Sequence, residues 1–197
     1  MKTPFLTGKL VFLRGIERSD LDGKMLHWTD DREVTRYLYR GAYPSSLERM
    51  VKDYEVMLES DTEIELVVVD QKTGLPLGVT GLHAINWIAR SGESRILIGE
   101  KEYWGKGYGT EATQLMVAYG FEVLNLHKVK LGAVEENFAA VKAYEKAGFR
   151  KEGVLRDEVY RNGRYYNAVV MSILRNEYWE ARKKWKISRE ISEQFPE

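Results

Sequence analysis

The sequence predicts an α+β domain, a mixed α/β arrangement around one sheet, and three observations predict it. β-branched and apolar runs separated by turn clusters fill residues 64–98, which reads as an antiparallel meander. From residue 110 onward strand and helix patterns alternate. The length of 197 residues favours one domain, expected over residues 1–179, followed by a charged, mostly helical tail over 180–197.

The elements follow in order. Residues 9–14 form a short apolar run, a first strand. Ser19-Asp20 opens a helix with Leu21, Met25, Leu26 and Trp28 at helical spacing. A short turn of helix passes through Val34, Tyr37 and Leu38, and residues 41–46 break the chain. Ser46 caps a second helix carrying Met50, Tyr54, Met57 and Leu58. Residues 64–69 and 77–87 are strands, and Arg90-Ser91-Gly92 turns the second into a third at 94–98. Residues 110–124 form a helix with Ala112, Leu115, Met116, Tyr119 and Val123 on one face. A strand at 128–134 leads to a helix at 137–147, with Ala140, Val141 and Tyr144 inward and Gly148 as its stop. Strands at 149–160 and 165–174 pair across Arg161-Asn162-Gly163-Arg164, a strong hairpin signal. In the tail, Tyr178, Trp179 and Trp185 either pack on the domain or another subunit, or belong to a fraying helix.

Composition excludes several function classes. Apolar residues make up 44% and charged residues 30%, enough for a sizeable core. Lys+Arg and Asp+Glu both number 30, so no global field draws nucleic acid or an anionic membrane, and any anion site must be local. There is no cysteine, which removes disulfides, Cys-based zinc and a Cys nucleophile. His27, His83 and His127 lack metal-ligand spacing, so no metal is expected. No secretory signal or spanning helix is read, and the cytoplasm is the expected location.

The local anion site is the turn Gly105-Lys106-Gly107-Tyr108-Gly109-Thr110. A helix start presents backbone N–H groups that no earlier carbonyl accepts, and the helix dipole adds positive potential. Glycines let that backbone approach a phosphate, and Lys106 supplies charge. The P-loop pattern fails, because Gly107 rather than Ser or Thr follows Lys106. The dinucleotide pattern GxGxxA fits Gly107 to Ala112, with Glu135 about twenty residues on; its context does not, since a meander precedes it.

Residues 100–112, with this turn, resemble the acetyl-CoA-binding motif of the GNAT superfamily of N-acetyltransferases. The stretch Glu136-Asn137-Phe138-Ala139-Ala140-Val141-Lys142-Ala143-Tyr144-Glu145-Lys146-Ala147-Gly148-Phe149 is similar to that superfamily's second signature. Trp28-Thr29-Asp30-Asp31 and the hairpin at 161–168 resemble the branch that acetylates ribosomal-protein N-termini, spermidine or nucleotide-linked amino sugars. Trp104 stands where the motif has Arg or Gln, and residues 39–43 lack the carboxylates that spermidine enzymes of the branch carry there.

The resemblance implies a mostly antiparallel sheet of about seven strands, flanked by helices and splayed in the middle for acetyl-CoA. It implies that Leu97, Ile98, Gly99, the turn from Trp104 to Thr110, Asn137, Ala140, Tyr144 and Lys146 hold the cofactor. It further implies direct attack by a primary amine on the thioester through a tetrahedral intermediate, with an oxyanion donor near Ile98-Gly99 and Tyr144 as general acid. An alkyl ammonium of pKa near 10 is only about one part in a thousand neutral at pH 7, a deficit of about 4 kcal/mol that a base or pocket must offset. Glu100 is the candidate base, directly or through water, with His83 on the neighbouring strand as another. The acceptor is a small-molecule or peptide amine, and a homodimer is an open expectation. The alternatives are a non-catalytic acyl-CoA-binding regulatory module and an NAD-dependent oxidoreductase.

Overall fold

The computed structural model of the chain describes residues 3–185, Ile187 and Ile191. Eight strands form one sheet in the order β1-β2-β3-β4-β5-β6-β8-β7. The strands are β1 (Leu6–Thr7), β2 (Val11–Gly15), β3 (Ile64–Asp70), β4 (Pro76–Asn86), β5 (Ser91–Ile98), β6 (Lys128–Val134), β7 (Arg150–Arg161) and β8 (Arg164–Leu174). Every neighbouring pair is antiparallel except β5 with β6. The strand beyond the expected seven is the two-residue β1, too short for a periodic signal.

Among the described residues, six α-helices cover the two faces. On one face lie α1 (Arg18–Asp20), a wide turn at Leu21–Met25, α2 (Leu26–Asp30) and α3 (Leu47–Leu58). Leu21, Met25, Trp28 and Met50 pack there on Val67, Val69 and Val79. The other face carries α4 (Tyr108–Glu122), α5 (Phe138–Lys146) and α6 (Arg175–Arg182). Leu115, Met116, Phe121 and Tyr144 meet Leu66, Leu82, Leu131 and Ile173 in that larger core.

Capping chemistry sets the helix ends. Ser46 accepts from the Arg49 N–H at 3.2 Å and starts α3. Asn137 accepts from the Ala140 N–H at 3.3 Å and starts α5. Gly148 at φ +90° stops α5, where a Cβ would lie 2.7 Å from the Ala181 Cβ. Asn162 and Gly163, both at positive φ, make the tight β7–β8 turn.

Four expectations need correction. Helix α4 begins at Tyr108 rather than residue 110, because Gly107 at φ +93° is its N-cap and Gly109 already lies in the first turn. It is also buried on all sides from Glu111 to Phe121, being wedged between sheet and helices, while Val123 lies past its end and is exposed. The helical turn expected through Val34 to Leu38 is a run of turns, and a short 3₁₀ helix follows at Tyr39–Ala42. Strand β5 starts at Ser91, so residues 87–90 make the turn before it.

The C-terminal side chains join the domain. Tyr178 is fully buried, stacks on Phe121 at 4.8 Å, and its hydroxyl donates to Glu122. Trp185, Ile187 and Ile191 sit in the same core cluster as the sheet. Among the described residues, helix ends at Arg182.

Candidate active site

The only parallel pair in the sheet makes the central opening. β5 and β6 pair at Ser91 with Lys128, Gly92 with Val129 and Glu93 with Lys130, and then diverge. Each keeps its other neighbour: β5 pairs with β4 as far as Ile98, and β6 pairs with β8 as far as Val134. The gap is therefore a wedge between two intact half-sheets. It opens into a cleft of about 1110 Å³ whose walls include Leu97, Gly132, Val134, Asn137, Ala140 and Tyr144.

The glycine turn follows the end of β5. After a 3₁₀ turn at Lys101–Tyr103, Gly105 (φ +71°) and Gly107 (φ +93°) reverse the chain into α4. The first main-chain amide of α4 that finds its helical acceptor is that of Glu111, on the Gly107 carbonyl at 2.9 Å. The amides of Tyr108, Gly109 and Thr110 precede it and point out of the helix start. A Cβ on Gly105 would meet nothing within 4 Å, and one on Gly109 would sit 3.4 Å from Ile98 Cγ1, so the turn lies open beside the end of β5. The Trp104 indole N–H donates to the Ile98 carbonyl at 2.8 Å. That bond explains tryptophan at a position where Arg or Gln was expected: it ties the turn to β5 through a side chain that leaves the backbone amides available. Lys106 is exposed. These features fit a diphosphate bound by main chain.

Tyr144 faces the wedge from the third turn of α5. Its ring tilts against Phe149 at 6.0 Å, and burial pushes its hydroxyl pKa up to about 12. Asn137 and Ala140 line the same wall. Lys146 is exposed on the last turn of α5, while its carbonyl accepts from Gln114 at 3.4 Å.

The end of β5 is fastened to the opposite helix layer. Gly99 is buried against Trp28, and a Cβ on it would lie 2.0 Å from the indole ring. The Gly99 amide donates to the Leu77 carbonyl at 2.8 Å. Glu100 receives the Trp28 indole N–H at 2.9 Å and the Lys24 ammonium at 3.0 Å, both on Oε1. Burial alone would raise the Glu100 pKa, but these two donors and the Lys24 charge outweigh it and hold the carboxyl below its ordinary value. Next to it, Lys101 bridges Asp31 and Glu33, each at 2.9 Å.

The far side of the cleft is closed by the β7–β8 hairpin. Arg161 donates to the Thr35 carbonyl at 3.0 Å and to the Leu38 carbonyl, and Tyr166 meets Tyr37 edge-on at 6.2 Å. Residues 31–38 are thus held at one end by Lys101 and at the other by Arg161. The charged lobe of the cleft is lined by Asp53, Glu63, Glu65, Glu93 and Glu158, against Lys52, Arg95 and Arg161. Arg95 is engaged by Glu93 at 2.9 Å. His83 is buried in the same lobe, its Nδ1 3.8 Å from Glu63 Oε2. A Cβ on Gly81 would lie 2.9 Å from His83 Nε2, so the ring lies over that glycine.

Of the residues named from the sequence, Leu97, Asn137, Ala140 and Tyr144 line the cleft, whereas Ile98, Gly99, Glu100, the turn from Trp104 to Thr110 and Lys146 lie outside its lining. Sequence reasoning missed the carboxylate lining and the fastening roles of Trp28, Lys24 and Arg161. Alternation on β3 and β5 was the one available signal, since Glu65 shares a face with Val67, and Glu93 with Leu97. Among the described residues no group of His, Asp and Glu is placed to hold a metal ion, and no helix is long and apolar enough to cross a membrane.

Comparison with known proteins now adds to this geometry. A family model described as an acetyltransferase (GNAT) domain matches residues 11–150. The chain is 37% identical over 169 residues to the spermidine N(1)-acetyltransferase of Escherichia coli K12, covering 85% of this chain and 88% of that protein. It is 36% identical over 106 residues to a putative ribosomal N-acetyltransferase of Bacillus subtilis, a match spanning 54% of this chain and 57% of that one. Among solved structures, the spermidine N-acetyltransferase of Vibrio cholerae in complex with CoA and spermine superposes with a TM-score of 0.79 at 34% identity, covering 86% of this chain and 98% of that one.

Proposed function

The chain belongs to the GNAT acetyltransferase family and is an acetyl-CoA-dependent N-acetyltransferase acting on a small-molecule amine; from that premise we propose that its acceptor is a linear polyamine. The observation that carries the proposal is the acidic lining of the acceptor lobe, where Asp53, Glu63, Glu65, Glu93 and Glu158 outnumber Lys52, Arg95 and Arg161. A chain carrying several ammonium groups gains attraction from each carboxylate it passes in a partly enclosed site. A nucleotide-linked amino sugar, with one ammonium and a diphosphate, gains little. The spermidine acetyltransferases among the relatives support the same reading. Residues 39–43 lack carboxylates, and in this reading α3, β3 and β5 supply the charge from elsewhere.

Acetyl-CoA supplies the thioester carbonyl and a thiol leaving group. The free amides of Tyr108, Gly109 and Thr110, with Gly105, Gly107 and Lys106, hold its diphosphate, and Trp104 keeps the turn in place. In this reading its arm runs past Leu97, Asn137 and Ala140, which line the cleft, towards the end of β5 at Ile98 and Gly99, and Lys146 stands at the outer end of α5. Tyr144 keeps its proton at neutral pH and donates it to the departing sulfur. Glu100 is ionised and held by Trp28 and Lys24, so it orients the end of β5 and is a weaker proton acceptor than an unperturbed glutamate.

The test is acetylation of an amine panel followed by released thiol. Polyamines should turn over with kcat/KM at least tenfold above amino sugars and peptide N-termini. Turnover of peptides with inert polyamines would remove the polyamine assignment. A cytoplasmic location and a homodimer belong to the same reading; the exposed edge strand β7 offers a surface for the second copy, which sedimentation would detect.

A further inference from the structure

Resting on the acetyltransferase reading, we propose that Glu111 is a positioning residue for acetyl-CoA: from the first turn of α4 it pins the diphosphate-binding turn to the loop between β1 and β2.

Glu111 stands one helical turn after Gly107, whose carbonyl accepts its amide at 2.9 Å. The residue is buried, and both carboxylate oxygens are engaged. Oε1 accepts from the Lys9 amide, and Oε2 accepts from the Leu10 amide at 2.8 Å. Both partners lie more than a hundred residues away along the chain. A Cβ on Gly8 would fall 2.4 Å from Oε1 and 2.9 Å from Cδ, so the carboxylate fills the space that a side chain would take there.

The loop that Glu111 grips is itself fixed. The Gly8 amide donates to the Val11 carbonyl at 2.8 Å, and the Leu10 carbonyl accepts from the Gln71 amide at 2.9 Å, just past the end of β3. Leu10 also packs beside the glycine turn, since a Cβ on Gly107 would lie 3.6 Å from Leu10 Cδ1. A second contact reaches the same region. Tyr108, the first residue of α4, meets Tyr103 edge-on at 4.9 Å, and burial first, then the nearby Asp70 carboxylate, push its hydroxyl pKa up. The start of α4 is therefore fastened twice. Trp104 ties it to β5, and Glu111 ties it to the β1–β2 loop.

The chemistry of the contact explains a carboxylate. Two neighbouring amides need two acceptors, and an ionised carboxylate gives charge-assisted bonds to both. Glutamine would offer one acceptor and aim its NH₂ group at the other amide. Near a bound diphosphate the Glu111 charge has a second influence, which is repulsion. The two influences have opposite signs. Loss of the charge favours the dianion, whereas release of the loop lets the amides of Tyr108, Gly109 and Thr110 leave the geometry that binds it. Two N–H dipoles on the carboxylate offset much of the repulsion, so positioning prevails.

The test measures CoA affinity by calorimetry and donor kinetics by thiol release in Glu111→Gln and in Gly8→Ala. The second variant keeps the charge and only displaces the carboxylate. The atom its methyl group meets is the end of a flexible side chain, so the fold is retained. Both variants should bind CoA and 3′-dephospho-CoA about tenfold more weakly and raise KM for acetyl-CoA by a similar factor, with kcat and the acceptor KM within about twofold of wild type. With S-acetyl-pantetheine, a donor without the diphosphate, kcat/KM should stay unchanged. Trp185→Ala, beside the far end of α4, serves as a control that loosens the fold and should leave CoA affinity as in wild type. Unweakened CoA binding in either folded variant, an equal loss with S-acetyl-pantetheine, or an equal loss in Trp185→Ala would overturn the role of Glu111 and leave the acetyltransferase reading intact. No binding of CoA by wild type would overturn both.

Discussion

Tyr144 and Gly99 show how single residues shape the molecule around this cleft. Burial holds the Tyr144 proton so firmly that its pKa rises to about 12, which makes it a donor throughout the physiological range. Tyr144→Phe is expected to lower kcat by about 100-fold while changing CoA affinity little, as measured by thiol release and calorimetry. The raised pKa also has a stability consequence with a definite sign. The folded state holds this proton more tightly than the unfolded chain, so the contribution is intact below about pH 10 and lost as pH climbs toward 12. At Gly99 the constraint is steric. A methyl group there would fall 2.0 Å from the Trp28 ring, so Gly99→Ala should cost about 1–3 kcal/mol by forced displacement, read as a lowered unfolding midpoint. In a Trp28→Ala background the added cost of Gly99→Ala should be smaller, because the obstruction is gone.

Among the elements, the start of α4 joins local stability to ligand binding. Gly107 is both its N-cap and a residue at φ +93°. Gly107→Ala should cost about 1–2 kcal/mol in backbone strain and weaken CoA binding about tenfold, measurable by thermal shift and titration. Short-range chemistry of this kind was legible in the sequence. Ser46, Asn137, Gly148 and Asn162-Gly163 mark their ends because each acts on neighbours a few residues away. The start of α4 was misplaced by two residues because Gly109 reads as turn when the close approach of Ile98 is unknown. The wide turn at Leu21–Met25 had one cue, Gly23, where the backbone leaves helical geometry, but the helical spacing of Leu21 and Met25 masks it. Contacts across long separations were beyond reach: Trp28 with Glu100, Arg161 with Thr35, and the buried Glu111 carboxylate with the Leu10 amide at 2.8 Å. The acidic acceptor lobe is of that kind, assembled from four segments whose carboxylates look like ordinary surface charge when taken singly.

For the molecule as a whole, the boundary drawn at residue 179 meets a core that continues past it. Trp185, Ile187 and Ile191 share a cluster with Phe121 and Tyr178, and the Ile191 amide donates to Glu122 at 2.6 Å. Trp185→Ala is expected to destabilise the protein by about 3–5 kcal/mol, seen in denaturant unfolding, without altering the acceptor preference. The long central helix α4 is why the end of the chain matters. It is enclosed on every side, and the C-terminal residues help to enclose it.

The divided sheet carries one more implication. Three residue pairs are all that stitch β5 to β6, so the ligand-free protein has a soft seam running through its middle. In the proposed reading a pantetheine arm laid in that seam would act as a further strand, offering amides and carbonyls to both banks. Cofactor at about 100 times its dissociation constant should then raise stability by about 2.7 kcal/mol, with the gain in amide protection concentrated along the two facing edges. In this architecture the substrate is also a structural member, and the enzyme is most nearly a single solid body while it is loaded.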